Sequence, residues 1–347
     1  MATQTFSKLQ ARINQVKGEI LAHAVQVEIL AIGCEMKKQP RNQGDNITYR
    51  RFTPFGAGTG VNTQNRPAVI AAEHIVQEGV TPATDTISAV NVNTVQQQYA
   101  CIYAYTNKTA DLYEDDIPQE MRIQTGERMG FVREMIRFGV IKAGTNVLYS
   151  GGTSRATVDE AITLKSLRRM ARVLKLNHAK KKRRMLSPSG DYDTSAIEAA
   201  YIVFVSTDAE PDIRDLPGFT VVAKYGTHHS VISAEEIGSC EEFRFLTSPE
   251  LTAYTDSGVV TADAPGLVAE SSNVDVYPFM VMGENACFDV ALQGLDSYNF
   301  VHLPHNKPDK SDILGQRGYV GASFWSAVVL VNAGWMGVIE AGVTTQT

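Results

Sequence analysis

Little in this sequence marks a chemical site. Its four cysteines, Cys34, Cys101, Cys240 and Cys287, stand singly along 347 residues, so no Cys-x-x-Cys redox or zinc spacing can be drawn. They read as reduced, small apolar residues, because a disulfide framework is not expected in a cytosolic chain of this size. No apolar run approaches the ~18 residues of a membrane span, and residues 1–17 are polar, without the apolar core of a signal peptide. The expectation is a soluble protein made in a cytoplasm, with no membrane partner. No Gly-x-Ser-x-Gly elbow is present, and no cysteine stands where a histidine would activate it. Cations are not in excess either: 32 Lys and Arg against 38 Asp and Glu leave a net charge of −6. That balance argues against a protein whose main task is gripping nucleic acid, although a mildly acidic protein can still enclose DNA.

The short motifs that resemble sites have plainer readings. Gly56-Ala57-Gly58-Thr59-Gly60 follows no buried strand, opens no helix and lacks a terminal Gly-Lys-Ser/Thr, so it reads as a loop rather than a phosphate cradle. His228-His229 and His302-x-x-His305 have no intervening Glu on a helix, as zinc hydrolases require, and are expected to be solvated loop histidines. Asp115-Asp116 and Glu235-Glu236 are adjacent pairs whose side chains point apart; both are expected at helix starts, where negative charge favours the dipole. Lys180, Lys181, Lys182, Arg183 and Arg184 form the sharpest charge feature. Five cations in a row favour an exposed segment and make a candidate DNA-facing run, though after a helix C-terminus they could also remain in water and complement the dipole. No catalytic residue, cofactor site or metal ligand emerges, and an enzyme is not expected.

What the sequence does contain is an order of elements. Phe6, Leu9, Ile13, Val16, Ile20, Ala24 and Val27 recur at helical spacing, predicting a helical arm within residues 3–37. Residues 40–94 are rich in Gly, Pro, Asn and Thr with no helical period, and so long a stretch has its role outside a compact domain. Runs at 69–75 and 87–92 are predicted to pair as an extended hairpin. Tyr99, Cys101, Tyr103 and Tyr105 alternate with Ala100, Ile102 and Ala104, predicting a strand with an aromatic face and a small-residue face. A long helix is predicted over 116–143, with Pro118 in its first turn and an apolar stripe through Met121, Met129 and Ile136. Gly126, Gly130 and Gly139 within it point to the close approach of another backbone. Arg133 and Arg137 are like charges four apart, and a neighbouring subunit is expected to supply their acidic partners; charge reversal at Arg137 should then impair assembly more than folding. A second helix is predicted from a Thr157-x-x-Glu160 capping box to about Asn177. Strands follow at 199–205, 243–246, 278–282 and 286–292, and Phe324–Val331 and Trp335–Ile339 are expected to form a hairpin around Asn332-Ala333-Gly334.

This ordered set resembles the HK97-type capsid subunit of tailed bacteriophages, and more specifically the major capsid proteins of N4-like podoviruses. The resemblance is carried by Glu78-Gly79-Val80-Thr81-Pro82, by residues 143–152 (AGTNVLYSGG), by Ile237-Gly238-Ser239 before Phe243-Arg244-Phe245, and by residues 315–321 (GQRGYVG) with Trp335-Met336. It implies an α+β, HK97-like capsid fold with a 1–46 N-arm, a 47–95 E-loop reaching over a neighbour, and a peripheral domain mainly from 96–156 and 276–347. That domain would contain a 116–143 spine helix, and 157–275 would supply most of the axial domain. Candidate intersubunit contacts are Arg50, Arg51, Phe52, Phe55, Arg66, Glu78, Arg133 and Arg137. The implied function is a major capsid protein that assembles as hexamers and pentamers into an icosahedral head around double-stranded DNA. Separate scaffolding, portal and possible decoration proteins would be partners, and the location would be the virion, assembled in the host bacterial cytoplasm. Residues 49–107 contain no Lys, so the E-loop lysine cross-link of some relatives has no donor here. The basic run and residues 252–273 depart from the pattern. The alternatives are an encapsulin-like compartment shell and a cytosolic oligomeric enzyme.

Overall fold

The computed structural model describes residues 27–53, 71–79, 81, 84, 86–113, 116–182, 186–188, 194–196, 199–225, 231–295, 298–308 and 310–346. In chain order the strands are β1 (Glu35–Gln39), β2 (Asn46–Phe52), β3 (Ala89–Val95), β4 (Gln97–Thr106), β5 (Val147–Tyr149), β6 (Leu186–Pro188), β7 (Thr194–Ala196) and β8 (Tyr201–Ser206). They continue with β9 (Thr220–Val221), β10 (Glu236–Cys240), β11 (Phe243–Ser248), β12 (Tyr277–Met282), β13 (Cys287–Leu292), β14 (Asn299–Leu303), β15 (Arg317–Leu330) and β16 (Met336–Ala341). The helices are α1 (Asn107–Leu112), α2 (Ile117–Lys142), α3 (Leu164–Leu176) and α4 (Glu210–Arg214).

Two mixed sheets carry the fold. One runs β1-β13-β15-β14, with β4 also paired to β15; the other runs β5-β16-β12-β8-β11-β10-β9. In the seven-stranded sheet β8, β11, β12 and β16 are buried along their whole lengths. A strand covered on both faces needs an uninterrupted apolar run rather than alternation, and YIVFVS in β8 has that form. One face packs under α3 with Leu167, Met170, Phe243, Phe245 and Phe279; the other meets α2 and the 29–34 segment through Ile29, Leu30, Phe138, Phe204 and Met280. Leu167 has no exposed surface. Leu167→Ala should therefore cost about 2–5 kcal/mol, read as a shift of the urea midpoint of the full chain.

The long helix forms where its pattern predicts. Asp116 caps it by accepting from the Gln119 amide at 3.1 Å, and Pro118 sits in its first turn. Its 26 residues make a rod ~39 Å long at ~1.5 Å per residue. Its glycines have a different reason from the predicted one. A Cβ on Gly130 would lie 2.1 Å from a Glu28 carboxylate oxygen, one on Gly126 would only touch the Phe300 ring, and one on Gly139 would meet nothing. Side chains, not a second backbone, use the space.

Other expectations are corrected. The helical arm is not helical where it is described: residues 30–32 form one 3-10 turn, and β1 follows, parallel to β13; residues 1–26 lie outside the described residues. The hairpin pairs 46–52 with 89–95, not 69–75 with 87–92, and residues 71–74 form a 3-10 turn. The second helix begins at Leu164 with Thr163 as its cap, whereas Thr157 ends a short turn and accepts from the Thr153 and Ser154 amides. Glu235 and Glu236 open no helix; Glu236 starts β10 with its carboxylate buried against the Tyr225 hydroxyl and the Ile232 amide. β15 and β16 do not pair with each other, because the turn at 333–335 carries the chain from one sheet to the other. β5, β12 and β16, drawn from stretches assigned to the peripheral unit, complete the sheet built on residues 157–275.

Candidate assembly surfaces

Among the described residues two apolar surfaces are left open, and a buried ion-pair cluster sets the chain that bears them. The first surface is the two-stranded β2–β3 ribbon, in register from Asn46 opposite Val95 to Phe52 opposite Ala89. It touches the body through Tyr49, whose ring meets Phe288 edge-on at 5.3 Å. Phe52, Ile75, Val76, Ile87 and Val90 remain exposed along it and its extension, Ile87 at 83%. A two-stranded ribbon in water is marginal without a further surface to cover it.

The second surface is one face of the β4-β15-β14 region. Ile102, Gly321 and Val301 lie in one row across the three strands, with Ala104, Tyr319 and Leu303 in the next. Gly321 has no side chain, so a trough of about 300 Å³ opens between the flanking residues. Ile102, Val301 and Leu303 are exposed at 67%, 50% and 51%. The opposite faces of β4 and β15 are covered by α2, with Cys101, Met129 and Phe324 in one cluster and Tyr105, Met121 and Val320 in another. The predicted alternation is thus observed, and it is the small-residue face that looks outward. An apolar patch of this kind on an otherwise ordinary surface marks a protein interface.

Arg133 and Arg137, expected to reach a neighbour, instead find their acid within the chain. Asp289 on β13 is fully buried; its Oδ2 accepts from Arg133 Nε at 3.0 Å and from Arg137 Nε and Nη2 at 3.0 and 2.7 Å, while Oδ1 accepts from Ser326 Oγ at 3.1 Å. Burial alone would raise the Asp289 pKa, but the Arg133 hydrogen bond and both guanidinium charges overcome it and hold the carboxyl below its usual range. Glu134, also buried, receives Arg137 Nη1 on one oxygen and the amides of Ile29 and Leu30 on the other at 2.7 and 2.6 Å. Helix α2 therefore holds the 29–30 segment through a carboxylate. Cys34 and Cys287 meet in the same region with sulfurs 2.8 Å apart, and contact with Cys34, then burial, pushes the Cys287 thiol up.

The basic run is not uniformly exposed. Lys182 turns inward, its ammonium donating to the carbonyls of Ile32 and Gly33, and burial lowers its pKa. Lys181 lies 3.6 Å from Glu242, and only Lys180 of the three described residues is exposed; Arg183 and Arg184 lie outside the described residues. Arg50 is exposed and donates to Asn91, Arg51 is half-buried, and Phe52 and Glu78 are exposed, whereas Phe55 and Arg66 lie outside the described residues. The glycine-rich 56–60 stretch, Asp115, His228 and His229 lie outside them too. His302 is on β14 rather than in a loop, its ring nitrogens 3.0 Å from the Tyr105 hydroxyl and 3.2 Å from Arg122; His305 lies 3.3 Å from Asp111. Sequence reading missed Asp289 and Glu340. Glu340, within an apolar strand, takes Arg155 bidentately at 2.7 and 2.6 Å, and a lone acid in an otherwise apolar strand was the available signal for both.

Among the described residues no three His, Cys, Asp or Glu are placed to hold a metal ion, and no helix is long and apolar enough to cross a membrane.

With two mixed sheets, a capped 26-residue helix and a β2–β3 ribbon, the chain has an α+β, HK97-like fold similar to that of phage capsid chains. No family model matches it, and no curated protein is similar in sequence. Solved structures are similar along the entire chain. The capsid of Ralstonia phage GP4 matches with a TM-score of 0.65 at 10% identity, covering 100% of this chain and 99% of that one. The capsid of cyanophage Pam1 matches at 0.62 and 12% identity, with 99% of each chain covered. The head of Helicobacter pylori bacteriophage KHP40 matches at 0.62 and 11% identity, covering 99% and 98%.

Proposed function

We propose that this protein is a major capsid protein of a tailed bacteriophage, a structural subunit rather than an enzyme, which assembles as hexamers and pentamers into a shell around double-stranded DNA. The observation that supports this most is the presence of two open apolar surfaces on a fold similar throughout its length to phage capsid chains. The β2–β3 ribbon of one copy lies on the β4-β15-β14 face of a neighbour, where Phe52 and its companions cover Ile102, Val301 and Leu303. Symmetric repetition multiplies a modest contact, so no single interface needs to be tight. The N4-like subfamily, the scaffolding, portal and decoration partners, and assembly in a bacterial cytoplasm belong to the same proposal.

Negative-stain electron microscopy of the purified protein, expressed with and without its neighbouring phage genes, tests it. Closed shells, tubes or ring-shaped capsomers are expected. A uniformly small oligomer under every condition would contradict the reading.

A further inference from the structure

Between Glu160 and Asp191 the chain has ten Lys and Arg and no Asp or Glu, although its net charge is −6. Half of that charge lies on α3. The helix buries Leu167, Met170, Ala171 and Leu174 and turns Lys165, Arg168, Arg169, Arg172 and Lys175 outward. Arg168 is spent on Glu241 at 2.8 Å and Lys175 on Glu242. Lys165, Arg169, Arg172 and Lys180 are exposed and make no ion pair among the described residues. Lys165, Arg169 and Arg172 follow at steps of four and three, so they stack along one side of the helix as like charges that repel in the isolated chain. An outside anion relieves that repulsion.

We infer that this ridge, rather than the 180–184 run as a whole, is the surface that contacts the phosphates of double-stranded DNA; the inference rests on the capsid reading. From Lys165 to Arg172 the ridge rises ~10 Å at ~1.5 Å per residue, which spans about three phosphates of one strand at ~3.4 Å of axial rise each. No aromatic residue lies between Leu164 and Lys182, so the ridge offers no platform for stacked bases, and a duplex suits it better than a single strand. Contacts of lysine ammoniums and arginine guanidiniums to phosphate oxygens position a duplex without reading its sequence. Lys182, with its ammonium on the Ile32 and Gly33 carbonyls, takes no part.

The test is fluorescence anisotropy of a 30-base-pair duplex against full-length capsomers across a salt series. It compares the natural protein with Lys165→Gln/Arg169→Gln/Arg172→Gln/Lys180→Gln and with a Lys224→Gln/Lys307→Gln control from elsewhere on the surface. Each phosphate contact contributes about 0.9 to the slope of log affinity against log salt. The quadruple variant should flatten that slope by up to about 3.6 and lower the affinity at ~0.1 M salt at least tenfold, with the control unchanged. Equal slopes for all three proteins, or no duplex binding by the natural protein, would overturn the inference. So would a quadruple variant that binds DNA normally but loses assembly, which would assign the ridge to acidic groups of a neighbouring copy. Shell formation, scored on the same preparations by electron microscopy, separates this result from failure of the capsid reading itself.

Discussion

Asp289→Ala should destabilise the folded chain by about 3–5 kcal/mol, the usual cost of removing one partner from a buried ion pair. Asp289 has no exposed surface and is the acceptor for two guanidinium groups, themselves 9% and 4% exposed at Arg133 and Arg137. Its loss leaves Arg133 without its carboxylate and Arg137 with Glu134 alone, at 3.3 Å, between α2 and the five-stranded sheet. Arg137→Glu should do more harm still, bringing a third carboxylate beside Asp289 and Glu134; the damage falls on folding before assembly, the reverse of the order expected from sequence. Acid acts on the same site. A carboxylate held below its usual range contributes stability that is complete above the unfolded value of ~3.9 and is lost as pH falls through the folded value. Asp289→Asn should therefore show a shallower acid-induced loss than the natural protein. Urea unfolding of soluble protein between neutral pH and pH 3 measures both effects; a neutral-pH loss below about 1 kcal/mol for Asp289→Ala would refute the role given to this cluster.

Ile102→Asp combined with Val301→Asp should act in the opposite way. Both side chains are at least half exposed, so each substitution should change the folded subunit by no more than about 1 kcal/mol, the span of strand propensity. At a covered interface the same carboxylates would be desolvated without partners, at several kcal/mol each, and in a shell that cost recurs at every subunit. Shell yield should fall by more than tenfold while the circular dichroism melt of the subunit stays in place. Normal shells from the double variant would remove the β4-β15-β14 face from the assembly account.

Much of the fold was legible where local physics decides it. The α2 boundaries follow from Asp116, Pro118 and an apolar stripe, and β8 from an unbroken apolar run. The two faces of β4 followed from period-two alternation, whereas which of them looks outward is set by where α2 packs. What could not be read was which elements meet. The α2 arginines looked unpartnered because Asp289 is more than 150 residues away in the chain. Phe324–Val331 and Trp335–Ile339 looked like a hairpin because the turn between them is short, yet the chain changes sheets there. Thr157 and Glu160 have the residue types of a capping box, but Thr163 and Ser166 make the cap that is used. The basic run reads as solvated because charge patterning carries no information about carbonyls left free at Ile32 and Gly33.

The measurement that tests the central claim most directly is a cryo-electron microscopy reconstruction of the particles formed by the full-length protein. The account predicts pentamers and hexamers of this fold, with the β2–β3 ribbon of each copy lying over Ile102, Gly321 and Val301 of its neighbour. Particles of another architecture, or shells in which that trough is open to solvent on every copy, would contradict it.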